Sequence, residues 1–128
     1  MNLPSIVILM AAAFFLLYGL AFTIFPGGMS LLVTGSEPES TSALVDFRAA
    51  YGGMTLAVGA ALVYLQVNRQ FGSGLVIVIL VLLGMAIARI LGLLLDGAGN
   101  FLMYLYLALE LAGSALAFFA LWRIREEA

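Results

Sequence analysis

The chain has 128 residues, of which 65% are hydrophobic and only 9% charged; ordinary soluble domains run at roughly 45–50% and about 25%, so one domain of this size cannot hide its apolar surface inside itself and lipid is expected to cover the excess. A formal charge of −2, with five basic residues, all arginine, and no basic run, leaves no electrostatic footprint for nucleic acid. The absence of cysteine and histidine excludes disulfides, thiolate nucleophiles and iron–sulfur ligation, and removes the commonest haem and zinc ligand and the usual general base near neutral pH.

A helix crossing a hydrocarbon core of roughly 30 Å at about 1.5 Å per residue needs about 20 apolar residues. The first such stretch runs from about Leu3 to Phe25. It has no basic leader and too long an apolar run for a signal-peptide core, so it is expected to be retained. The FPGG segment (Phe25 to Gly28) closes it, and the polar TGSEPEST follows in the longest connection, residues 26–43, whose conformation the sequence leaves open.

The second span is expected from Leu44 to Val67, the third from Gly74 to Leu95 and the fourth from Phe101 to Trp122. The short turns NRQFGSG and DGAGN between them make helices two, three and four sequential antiparallel neighbours. The fold class is therefore all-α, a transmembrane up-down-up-down four-helix bundle with residues 1–128 as a single domain. No internal repeat relates the helical pairs, which gives an inverted-repeat transporter no support.

Arg69, Arg123 and Arg125 fall on the side shared by both termini, and Glu37, Glu39, Asp46 and Asp96 on the other. Positive residues near span ends stay in the cytoplasm, so both termini are expected there, with Trp122, Phe118 and Phe119 as an interfacial belt. The segment RIREEA reads as a solvated helix end. Asp46 and Asp96 read as solvated helix-end groups rather than catalytic carboxylates, with Asp46 at the start of helix two suiting the helix dipole.

Besides Asp46 at the start of the second span, three charged residues lie within the spans. Counted from the outer ends, Arg48, Arg89 and Glu110 sit at depths of roughly 6, 10 and 15 Å. Side chains lean toward a helix N-terminus, so Arg89 on the outward-running third helix and Glu110 on the inward-running fourth lean toward each other. They are expected to pair, with Arg48 joining them or snorkelling outward. Helical spacing supports this: Arg48, Thr55, Gly59 and Gln66 share one stripe, as do Arg89, Gly92 and Asp96, and Tyr106, Glu110, Ser114 and Ala117. Tyr51 and Tyr106 are candidate hydrogen-bond donors to the cluster, or interfacial anchors.

Small residues four apart, Ala49, Gly53, Ala57 and Ala61 on helix two and Gly84, Ala88 and Gly92 on helix three, suit close helix packing or a homodimer. Six methionines read as packing residues, and no metal or cofactor is expected.

The segments RAAYGG (Arg48 to Gly53), ARILGLLLDG (Ala88 to Gly97) and LALELAG (Leu107 to Gly113) resemble, in order and spacing, the bacterial domain-of-unknown-function family forty-three forty-five, small proteins of four predicted spans. Arg48, Tyr51, Gly52, Gly53, Arg89, Asp96 and Glu110 carry the resemblance, which covers nearly the whole chain. It implies the architecture and a bacterial inner membrane, and no activity.

Two roles suit the charged residues: a polar clamp that fixes helix register, or a cavity that binds an anionic headgroup or small ligand or relays a proton through Glu110. With no nucleophile and no metal ligand set, the expected function is that of a non-enzymatic accessory or assembly subunit of a larger membrane complex, or a lipid-binding module. The alternative is a small proton-coupled transporter acting as a dimer. Known small four-span multidrug exporters place their essential glutamate in the first helix, and here that helix has no charge. An intramembrane enzyme using Glu110 or Asp96 as acid or base is the weakest of the three.

Overall fold

A computed structural model describes residues 2–126, without the side chain of Arg125. The last two residues of the RIREEA segment lie outside that range. The chain is helical almost throughout: α1 Leu3–Ile24, α2 Pro26–Thr34, α3 Thr41–Phe47, a π-helical segment Arg48–Gly53, α4 Met54–Val67, α5 Phe71–Leu95 and α6 Phe101–Glu126. α3, the π-helical segment and α4 run on as one span, so four helical stretches are long and apolar enough to cross a membrane. Both termini share one end of this bundle, the terminal end. The opposite end, the loop end, carries α2 and the α5–α6 turn.

Each start has a local cause. The Asn2 side chain accepts a hydrogen bond from the Ser5 amide and Pro4 occupies the first turn, where a missing N–H costs nothing. Ser40 caps α3 by accepting from the Ala43 amide at 3.1 Å.

FPGG ends α1 at Ile24 as expected, but it also starts a helix. Pro26 takes the first position of α2, a place that needs no N–H donor. Gly35 then ends α2 in the left-handed region at φ 83°, a conformation glycine adopts without a Cβ clash. Much of the long connection is thus a nine-residue helix, with Ser30 and Thr34 folding their hydroxyls onto the Ser36 carbonyl.

The closest packing is between α1 and α4 and between α5 and α6. α4 and α5, joined by the tight Asn68–Gln70 turn, touch only sparingly. α1 instead contacts every other span. The reason is steric: Gly19, Gly52 and Gly59 let the backbones of α1 and the second span approach closely, whereas α5 is drawn toward α6.

The terminal half holds a dry core of Ile8, Phe15, Leu62, Leu75 and Val78, with Ala117 and Ala120 admitting α6. With lipid outside, packing contacts rather than water exclusion hold such a core together. The loop half is where the polar groups collect.

The small-residue stripes do not pack the chain's own helices together. Ala49, Gly53, Ala57, Ala61, Gly84 and Ala88 are all exposed, and only Gly92 is half-buried. A Cβ at Gly84 would meet nothing within 4 Å. The face of the second span that meets α1 is Gly52, Thr55, Gly59 and Leu62, one register over. Asp46 is also relocated: α3 begins at Thr41, and no acidic residue lies in its first turn.

Candidate functional site

Arg89 on α5 and Glu110 on α6 meet in the loop half. Arg89 Nε donates to Glu110 Oε1 and Oε2 at 3.2 and 3.1 Å, and Nη2 donates to Oε1 at 2.6 Å. The pair is side-on, using two nitrogens of the guanidinium against one carboxylate, the geometry that gives arginine its specificity for carboxylates. The side chains are 18% and 5% exposed, so the charges are removed from lipid and solvent by each other and by their neighbours. Ser114, on the same face one turn along α6, is buried and donates to its own helix at Leu111.

Two further groups hold the guanidinium. Its carbon lies 5.4 Å from the centre of the Tyr106 ring, within cation–π range, and Nη1 donates to Met103 Sδ at 3.2 Å. The methionine sulfur is a weak acceptor. Arg89 is thereby placed by α6 alone: Met103, Tyr106 and Glu110 follow at helical spacings of three and four residues and present one face to it.

Tyr106 continues into an aromatic row. Its ring packs edge-on against Tyr18 of α1, with centroids 6.3 Å apart. Tyr18 contacts Phe22 at 4.9 Å, Phe22 stacks on Tyr51 of the π-helical segment at 5.2 Å, and Tyr51 stacks on Phe47 at 5.1 Å. Phe14 extends the row by stacking on Tyr18 at 5.5 Å. Tyr18 was not among the residues singled out from the sequence. Its signal was there: Phe14, Tyr18 and Phe22 recur every fourth residue, with a hydroxyl inside an otherwise apolar span.

Arg48 is not part of the Arg89–Glu110 site. It is exposed and turns to α1, where Nη1 donates to the carbonyls of Thr23 and Ile24. These belong to the last turn of α1, whose carbonyls lack intrahelical partners and carry the negative end of the helix dipole. Of the two places open to it, Arg48 thus takes the outward one. Arg48, Thr55, Gly59 and Gln66 all share the face toward α1, as their spacing implies, although Arg48–Gly53 is π-helical.

Asp96 also stands apart. It is exposed at the C-terminal end of α5, where its backbone N–H donates to the Gly92 carbonyl. Of the six polar residues picked from the sequence, the structure brings together Arg89, Tyr106 and Glu110, joins Tyr51 to them through Phe22 and Tyr18, and leaves Arg48 and Asp96 at the loop end.

At that end Asn100 ties two elements together. Its Oδ1 accepts from the Met103 amide at 3.2 Å, capping α6, and its Nδ2 donates to the Val33 carbonyl of α2 at 2.9 Å. At the terminal end Gln66 Nε2 donates to Ser5 Oγ, while Gln66 Oε1 is buried without a partner.

A family model described as a domain of unknown function, DUF4345, matches residues 4–121. No curated protein and no protein of known structure matches the chain.

Proposed function

The chain belongs to the DUF4345 family, small multi-pass membrane architecture included, and from that premise we propose that it is a non-enzymatic accessory or assembly subunit of a larger complex in the bacterial inner membrane, with both termini cytoplasmic. The observation that carries this is the closed arrangement of Glu110. Both carboxylate oxygens are taken by Arg89, and the residue is 4% exposed. A carboxylate serving as acid, base or proton carrier needs access to a substrate or proton path, whereas a paired one fixes the register of α5 on α6.

The outward small-residue faces supply the second half of the proposal. Ala49, Gly53, Ala57 and Ala61 on one span, and Gly84 and Ala88 on another, lie exposed, and the two spans touch only sparingly. In lipid, small residues let a foreign helix approach closely. The test is gentle extraction followed by mass spectrometry. A stoichiometric membrane-protein partner is expected, and recovery of a bare monomer under every mild condition overturns the role.

A further inference from the structure

The Arg89 guanidinium has five N–H groups. Nε uses its one on Glu110, Nη2 one on Glu110, and Nη1 one on the Met103 thioether. Two N–H groups are left over, one on each terminal nitrogen. The guanidinium lies over the Tyr106 ring, Tyr106 packs edge-on against Tyr18, and Phe22 links Tyr18 to Tyr51. The hydroxyls of these three tyrosines make no hydrogen bond to the described residues. The cluster therefore holds phenol O–H and guanidinium N–H groups free to donate, while its one carboxylate is occupied by Arg89.

Its surroundings say how a ligand would arrive. The π-helical segment and α5 scarcely touch, and the aromatic row of Phe22, Tyr18 and Tyr106 stands between Tyr51 and Arg89. Tyr51 is 46% exposed, and the neighbours of Arg89 on α5, Ile87, Ile90 and Leu91, are exposed. A lipid can therefore reach this row sideways, from the acyl region. Arg89 stands six residues from the end of α5, or roughly 9 Å along the helix axis. α5 spans about 37 Å against a core of about 30 Å, which puts Arg89 a few ångströms below the polar boundary. Its Nη1 edge turns toward Met103 and the loop end. At the rim Arg48 is exposed and forms no ion pair among the described residues.

A ligand for this place must bring oxygen acceptors, tolerate a positive rim and own an apolar body. We propose that the cluster of Tyr18, Tyr51, Tyr106 and Arg89 binds the phosphate diester of a phospholipid that enters sideways from the leaflet at the loop end. The unused phenol O–H and guanidinium N–H groups donate to the phosphate and ester oxygens, and the acyl chains lie along the exposed apolar side chains of α5, Ile87, Ile90 and Leu91. The Arg89–Glu110 pair stays intact throughout. The site is independent of the assembly role, since it needs no protein partner.

The test is native mass spectrometry of the delipidated protein titrated with phosphatidylglycerol, with diacylglycerol, which keeps the chains and ester carbonyls but lacks the phosphate, and with inorganic phosphate. Phosphatidylglycerol is expected to bind, with Tyr18→Phe/Tyr51→Phe about tenfold weaker, the loss of two neutral hydrogen bonds, and Tyr64→Phe/Tyr104→Phe unchanged. Both pairs keep their rings, so the fold is preserved. Equal binding of diacylglycerol, or phosphatidylglycerol binding insensitive to the Tyr18 and Tyr51 hydroxyls, overturns the proposal. Hydroxyl-dependent binding of inorganic phosphate without phosphatidylglycerol binding overturns the lipid as its source.

Discussion

A Cβ placed on Gly19 of α1 would lie 2.9 Å from the carbonyl oxygen of Gly52 in the π-helical segment, and 2.5 Å from Thr55 Oγ1. The contact is reciprocal, since a Cβ on Gly52 would run into Thr23 of α1. Backbone as well as a threonine hydroxyl would be struck on both sides. Gly19→Ala and Gly52→Ala are each expected to destabilise by about 1–3 kcal/mol through overpacking. Gly84→Ala, with nothing in reach, is expected to be neutral or to stabilise by up to about 1 kcal/mol through helix propensity. Thermal unfolding in one detergent ranks the three. A loss at Gly84 matching that at Gly19 would contradict the assignment of the packing face.

That contact also marks where the sequence stopped being legible. Span positions follow from hydropathy and turn residues alone, because lipid demands long apolar helices. Arg89 and Glu110 were legible for a related reason: a charge in a span needs a partner, and only two others were available at nearby depth. The π-helical segment was not. Nothing in RAAYGG announces a wider turn, and it is Gly52 rather than Gly53 that packs against α1. α2 was hidden by its own start, since a proline and two glycines after an apolar run read as an ending.

Arg89 and Glu110 make a strong prediction because each desolvates the other. Arg89→Gln or Glu110→Gln leaves one charge buried without its counter-ion and is expected to cost about 3–5 kcal/mol. Replacing both, as Arg89→Met/Glu110→Leu, should cost far less than the sum, since no buried charge remains. Arg48→Gln, which loses only contacts to the exposed end of α1, is expected to cost under about 1 kcal/mol. Reversible unfolding in mixed micelles measures all four variants. Additive costs in the double variant would show that the two residues act apart.

Asn100 serves two elements from one side chain. Asn100→Ala removes the α6 cap, worth about 1 kcal/mol, and releases the Val33 carbonyl. α2 is then held only by its packing and by the Ser30 and Thr34 bonds. Hydrogen exchange is expected to rise selectively across α2 and the first turn of α6, while amides of the terminal-half core keep their protection. Uniform loss across the bundle would place Asn100 in the global core instead.

Ser5 and Gln66 should behave non-additively with a different sign. Ser5→Ala strands both ends of the Gln66 amide in a buried setting and is expected to cost about 1–3 kcal/mol. Gln66→Leu combined with Ser5→Ala removes the unsatisfied Oε1 as well, and is expected to be neutral or stabilising relative to the starting protein. The same unfolding measurement decides it. A double variant worse than Ser5→Ala alone would mean that the buried Oε1 is in fact satisfied.

The exposed small residues separate folding from assembly. Within one chain Ala57 is exposed and a Cβ at Gly84 meets nothing within 4 Å, so Ala57→Leu and Gly84→Leu are expected to leave the melting temperature within about 2 °C of the parent, the shift of a surface change of roughly ±0.5 kcal/mol. If α4 and α5 present these faces to a partner helix, the added branches hold the backbones apart and close approach is lost. Copurification of the partner is then expected to fall away while the monomer remains folded. Retention of the partner by both leucine variants would remove these faces from the interface. A drop in monomer stability would instead mean that they pack within the chain. The two readouts move independently only if α4 and α5 touch as sparingly as they do here.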